Sequence, residues 1–207
     1  MAKEEKVTKN SKNKKRGLFI AALVIAVALV IFTVGLIGVY GAHSTNFAIV
    51  ALSRIIPYPA VIVNWEPVSY FEYAQSIKTI TRFDEAQEEL SFDSLEVNQN
   101  VVNRLVTNKV LDQVAREEDV KVFDYEIEKE FQSAVGEDED EKEIEKNIKE
   151  LFGWDVEEYK QNVVFPFVLE KKLSEALYGG DADAPQKFAQ YIQERISNSS
   201  IIYLVPH

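Results

Sequence analysis

From Gly17 to Ala42 the chain reads GLFIAALVIAVALVIFTVGLIGVYGA, without one charged residue. At about 1.5 Å of rise per residue, a helix of this length exceeds the roughly 30 Å of hydrocarbon in a bilayer. The run therefore reads as a transmembrane helix over residues 17–42. A secretory signal peptide is the alternative, but its apolar region would hold about 7–15 residues. The best cleavage candidate, Val39-Tyr40-Gly41, is also a poor small-x-small site, and no cysteine exists for a lipid anchor.

Charge orients that helix. Lys3, Lys6, Lys9, Lys12, Lys14, Lys15 and Arg16 precede it against Glu4 and Glu5, a net of +5. Basic flanks stay in the cytoplasm, so residues 1–16 are expected to be a cytoplasmic tail. Everything after Ala42 is then extracytoplasmic, on a single-pass protein of the cell membrane. The chain total of −11, with +5 in the tail, leaves −16 for residues 43–207. So acidic a surface disfavours nucleic acid and anionic lipid headgroups, both of which call for lysine and arginine patches. The bilayer is a partner through the apolar helix. Absence of cysteine excludes disulfides, thiolate metal sites and thiol catalysis.

Beyond the span, TNFAIVALSRIIPYP gives residues 43–58 the character of a juxtamembrane amphipathic segment at the outer membrane surface. Helical patterns with capping signals then recur. Ser69 with Glu72 forms a capping box that opens a helix to about Glu89. Asp93 with Glu96 repeats it before a helix in which Val101, Leu105, Leu111 and Val114 share a face. Asp124 is the expected N-cap of the next helix, with Ile127, Phe131 and Val135 inward and its end at Gly136. From Asp140, Ile144, Ile148 and Leu151 or Phe152 form a stripe that stops at Gly153. The carboxylates of GEDEDEKE lack the alternation and turn glycine of a calcium loop. Asp155 with Glu158 caps a helix to Tyr178, kinked at Pro166, with Tyr159, Val163, Phe167 and Leu173 inward. Asp183 and Gln186 cap the last helix.

Two short apolar runs remain, Ala60–Val63 and Ile201–Val205. A strand cannot stand alone, because its backbone groups need partners. Each run is the other's natural partner, which gives a mainly α domain closed by a small sheet from its two ends.

The stretches VIVNWEPVSYFEYAQSI, VVNRLVTNKVLDQVAREEDVKVFDYEIEKEFQ and LFGWDVEEYKQNVVFPFVLEKKLSEAL carry a resemblance. Val63-Asn64 to Ser69 matches a V-N-G-x-x-I-S hairpin, and Leu105 to Ala115 matches a leucine-rich L-I-x-x-x-L-L-x-x-A helix. Val120 to Ile127 matches I-x-V-x-D-x-E-I, and Gly153 to Tyr159 matches G-x-S-x-x-x-Y/F. In this order they resemble the N-terminal chaperone domain of the SurA, PrsA and PpiD group of bacterial extracytoplasmic foldases, over roughly Pro59 to Leu177. The resemblance implies a helical, peptide-binding domain over residues 59–207, completed by the helix and strand of 184–205. Trp65 stands where the family has its turn glycine, so positive φ there becomes costly. Family members commonly insert a parvulin prolyl isomerase before the last helix. Here only GGDADAP intervenes.

Chemistry by composition is sparse. The two histidines are His43 and His207, so no internal histidine serves as base or ligand. No glycine-rich phosphate loop occurs. No cofactor, metal or catalysis is expected. What remains is binding. Most aromatics belong to the core by default, and the candidate polypeptide contacts are Trp65, Phe71, Phe92, Phe131, Trp154, Phe165 and Phe167. The resemblance implies an anchored holdase for unfolded or newly exported chains, without isomerase activity. The rival reading is a tethered scaffold for one folded envelope protein.

Overall fold

The computed structural model describes residues 20–86, 94–136, 140–179 and 181–207. The chain divides into two units, Met1–Tyr58 and Pro59–His207.

In the first unit, α1 (Ile20–Gly41) is long and apolar enough to cross a membrane, with a mean hydropathy of 3.1. Its last turn, Ile37–Gly41, is a π turn. Asn46 caps α2 (Phe47–Ile55) by accepting the Ala48 N–H at 2.9 Å. α2, in the segment expected to be juxtamembrane, packs against α1. A Cβ on Gly35 would collide with the Tyr58 hydroxyl oxygen, and one on Gly38 would stand 2.5 Å from Ile49 Cδ1. The two glycines thus set how closely the helices approach, and Tyr58 donates its hydroxyl to the Phe32 carbonyl at 3.0 Å.

The second unit begins with β1 (Pro59–Val63) and β2 (Glu66–Ser69). They form an antiparallel hairpin pairing Val63 with Glu66 and Val61 with Val68. β2 is the second arm of the hairpin that the resemblance implies over Val63 to Ser69, although Glu66 and Pro67 are poor strand formers. As the edge strand of the sheet it tolerates the proline, whose missing N–H leaves no interior ladder bond unmade. The turn holds both Asn64 (φ 50) and Trp65 (φ 70) in the left-handed region. A type I′ geometry therefore survives the loss of the usual glycine. Asn64 anchors it by donating to Gln113 Oε1 (2.9 Å) and Ser199 Oγ (3.0 Å) and accepting the Ser200 N–H (3.0 Å).

α3 (Tyr70–Ala86) starts on the expected box, with Glu72 accepting the Ser69 N–H and Ser69 Oγ accepting the Glu72 N–H, each at 3.2 Å. α4 (Ser94–Glu117) buries Val101, Leu105, Leu111 and Val114 as the pattern predicts. It also buries Val97, Val102, Val106 and Val110, because it lies between α3 with the sheet on one side and α8 and α9 on the other. The expected Asp93 cap lies outside the described residues.

α5 (Asp124–Val135) is capped one residue earlier than expected. Phe123 is the N-cap, and its N–H donates to Glu126 at 2.8 Å. α6 (Glu141–Phe152) follows its Asp140 cap and ends at Gly153, in the left-handed region at φ 75. The reciprocal Asp155–Glu158 box then starts α7 (Val156–Tyr159). A π turn, Lys160–Val164, joins α7 to α8 (Phe165–Tyr178), the Phe165 N–H bonding the Lys160 carbonyl. The wider turn accommodates Pro166, which lacks an N–H and crowds the carbonyl four residues back. It also slips the helix phase by one residue. Val164 and Val168 are buried, whereas Phe167, expected inward, is 54% exposed.

α9 (Ala184–Ser197) packs on α8 and α4. Asp183 occupies its N-cap position without a side-chain capping bond and pairs with Lys187 at 3.1 Å instead. β3 (Ile201–Tyr203) closes the sheet in the order β2-β1-β3. Val61, Ile62 and Val63 face Tyr203, Ile202 and Ile201 in antiparallel register, as the two unpartnered runs require. Val61 and Val63 of the central strand are fully buried. No parvulin domain stands between α8 and α9.

Candidate functional site

The residue between the α6 cap and the α7 cap is Trp154, pinned from both sides. On one side, Arg82 of α3 donates its Nε to the Glu150 carbonyl at 3.1 Å and lies against Gly153, where a Cβ would meet Arg82 Nη1 at 3.1 Å. On the other, the Asp155–Glu158 box fixes the first turn of α7. Phe152 is the hub of the rings gathered here. Its centroid lies 5.7 Å from Phe83, 5.4 Å from Trp154 and 5.5 Å from Tyr159, and Tyr159 meets Phe131 at 6.2 Å. These separations lie within the range of favourable aromatic pairs. The Lys160 ammonium sits 4.7 Å above the Phe131 ring.

The ladder ties α3 to α5, α6 and α7, and a cleft of about 600 Å³ opens beside it between α3 and the α6–α7 junction. Buried Thr79 and Trp154 form its floor with half-buried Phe152, while Lys78, Glu150 and Glu158 stand exposed at its rim. The lining of the cleft is mainly polar, with Gln75, Lys78, Thr79, Arg82, Glu150 and Glu158 around Phe152 and a nearly covered Trp154. Beneath it, Ile127, Phe131, Ile148, Trp154, Val164 and Val168 form one buried cluster.

Ion pairs brace the helices behind the cleft. Lys172 lies 2.7 Å from Glu126, and this bond, with the Phe123 N–H, holds the Glu126 carboxyl below its usual range. Lys160, aided by Gln132, does the same for Glu128. Burial pushes the Tyr70 hydroxyl, in the core behind the sheet, up to about 12. Among the described residues, no group of three or more His, Cys, Asp or Glu stands together as a metal ion would require.

The candidate contact residues do not converge on one surface. Trp65 is 84% exposed at the hairpin tip. Phe71 is half-buried in the first turn of α3. Phe131 and Trp154 are buried, Trp154 with an edge on the cleft, and Phe165 packs half-buried against their cluster. Phe167 stands out from α8, and Phe92 lies outside the described residues. Phe83, Phe152 and Tyr159, which build the ladder, were not among the candidates. Their roles follow from how α3 meets α6, a contact that leaves no local signal. Phe123 and Tyr125 depart from the default of burial. They stack 5.9 Å apart on the surface, with Lys172 over Phe123.

No curated protein and no solved structure matches the chain. The family model of the SurA-like N-terminal domain matches residues 9–142, from ahead of α1 to the start of α6. That is well over half of the sequence, and the chain therefore belongs to the SurA-like N-terminal domain family.

Proposed function

We propose that this protein is a membrane-anchored extracytoplasmic holdase that shelters unfolded or newly exported polypeptides. Its N-terminus is cytoplasmic, and α1 is retained as the anchor. The observation that supports the reading is the open cleft between α3 and the α6–α7 junction, where Phe152 and an edge of Trp154 sit among polar and charged side chains. Such a mixed surface offers ring edges to apolar side chains and hydrogen-bonding groups to the backbone of an extended segment, while the empty site stays soluble. Binding is weak and reversible, needs no nucleotide and is not coupled to catalysis. Membership of a chaperone-related family and the +5 tail ahead of an uncharged helix support the same reading.

The test uses the intact chain in nanodiscs, mixed with several unrelated proteins diluted from denaturant. Suppressed aggregation of most of them is expected. Protection of none would overturn the holdase, and protection of a single one would favour a dedicated scaffold. In spheroplasts, external protease should remove residues beyond His43 and spare the tail. A prolyl-peptide turnover assay should read background.

A further inference from the structure

The side of α8 away from the aromatic ladder carries a second recess. It lies where α8 meets α9, has a volume of about 420 Å³, and is mainly apolar. Phe188, 1% exposed, and Ala184, 4% exposed, form its floor with Ser174. Pro185 and Phe167 flank it. Phe167 is 54% exposed although it belongs to a well-formed helix. That exposure follows from the π turn, which rotates Val164 and Val168 inward and leaves the phenyl ring at the mouth of the groove.

The charges around the mouth are unbalanced. Lys171 is engaged by Glu130 at 3.2 Å, and nearby Lys187 by Asp181 at 3.4 Å and Asp183 at 3.1 Å. Glu170 and Glu175 line the same groove and form no ion pair among the described residues. An apolar slot bordered by two uncompensated carboxylates selects an apolar group with a cation close beside it, because a neighbouring anion would be repelled. The acidic balance of residues 43–207 acts in the same sense at longer range.

We infer that the α8–α9 groove is a second polypeptide-binding site, which takes an apolar side chain of an extended segment flanked by lysine or arginine. The inference rests on the reading of this domain as a binder of unfolded polypeptide and adds to it a place and a preference. Phe167 closes over the inserted side chain, and Glu170 and Glu175 meet the flanking cations.

The intact chain in nanodiscs of neutral lipid is titrated into two fluorescein-labelled peptides, followed by anisotropy. Both have the same leucine- and phenylalanine-rich centre, flanked by lysines in one and by glutamates in the other. The lysine-flanked peptide should bind about tenfold tighter, and Phe167→Ala should weaken it by about tenfold. The double variant Glu170→Gln, Glu175→Gln should remove the preference while leaving the glutamate-flanked peptide no weaker. All three side chains stand at the groove mouth, so a shared melting temperature with the parent will confirm intact folding. Equal affinity for the two peptides, or a preference that survives the double variant, overturns the inference. Failure of both peptides to bind while aggregation is still suppressed overturns this site alone. Failure of both assays overturns the holdase reading with it.

Discussion

Asn64 joins three parts of the domain that are distant in sequence, and its removal should show what holds the sheet closed. Its amide donates to Gln113 on α4 and to Ser199 after α9, and its oxygen accepts the Ser200 N–H at the entry to β3. Gln113 in turn donates to the Val63 carbonyl at 3.1 Å, in a buried position. Asn64→Ala removes all three side-chain bonds. The part-buried bond to Gln113 contributes about 1.5 kcal/mol, and the two at the solvent edge about 0.5 kcal/mol each, since water replaces the lost partner there. Alanine also tolerates φ 50 less well than asparagine, which adds roughly 0.5 kcal/mol. The expected loss is about 3 kcal/mol. With a urea slope of about 2 kcal/mol/M, the midpoint falls by about 1.5 M.

The assay is urea unfolding of the intact chain in detergent, followed by tryptophan emission. Of the two tryptophans, Trp154 is 8% exposed and Trp65 84% exposed, so the change in emission reports loss of the core. Asn64→Gly separates the terms, because glycine adopts positive φ freely but makes none of the bonds. It should be slightly less damaging than alanine. If both variants unfold within about 0.3 M of the parent, the hydrogen bonds contribute nothing and the reasoning fails.

Three further outcomes are expected. Truncation after Ser200 removes the Leu204 N–H bond to Ala60 and the packing of buried Val205, and should cost about 3 kcal/mol by the same titration, where a frayed tail would cost almost nothing. Trp65→Gly should stabilise the domain by roughly 1 kcal/mol by relieving φ 70 at an exposed side chain, and a loss of stability would mean that the indole packs. The lowered Glu126 carboxyl contributes stability that is complete above its ordinary value of 4.5 and disappears as pH falls through its folded value. The gap in unfolding midpoint between parent and Glu126→Gln should therefore close in acid, and a gap that widens there would refute the pairing with Lys172.

The parts of this fold that were legible in the sequence are those decided locally or by an unmet need. The capping boxes at Ser69 and Asp155 form as read, because their partners lie three residues apart, whereas Asp183 makes no side-chain capping bond. The pairing of β1 with β3 was legible because Ile201–Val205 had no apolar run other than Ala60–Val63 to pair with. The error at Phe167 has a definite origin. Counting in fours from Tyr159 through Val163 assumes an unbroken α-helix, and the π turn ahead of Pro166 advances the buried positions to Val164 and Val168. The aromatic ladder was illegible for another reason. Phe83 and Phe152 meet only because α3 packs against α6, and nothing within either helix distinguishes them from other half-buried aromatics.

The sheet order β2-β1-β3 has a consequence in time. Synthesis proceeds from the N-terminus, so β1 and β2 are made together and their hairpin can form at once, leaving the far edge of the central strand open. Its second partner is Ile201–Tyr203, and at about 5–20 residues per second that segment follows on the order of ten seconds later. Through that interval Val61 and Val63, fully buried in the finished domain, lie beside an unfilled edge. The nascent chain is then itself an aggregation-prone polypeptide with an unpaired apolar strand, and its sheet is completed only after that interval, however early its helices appear.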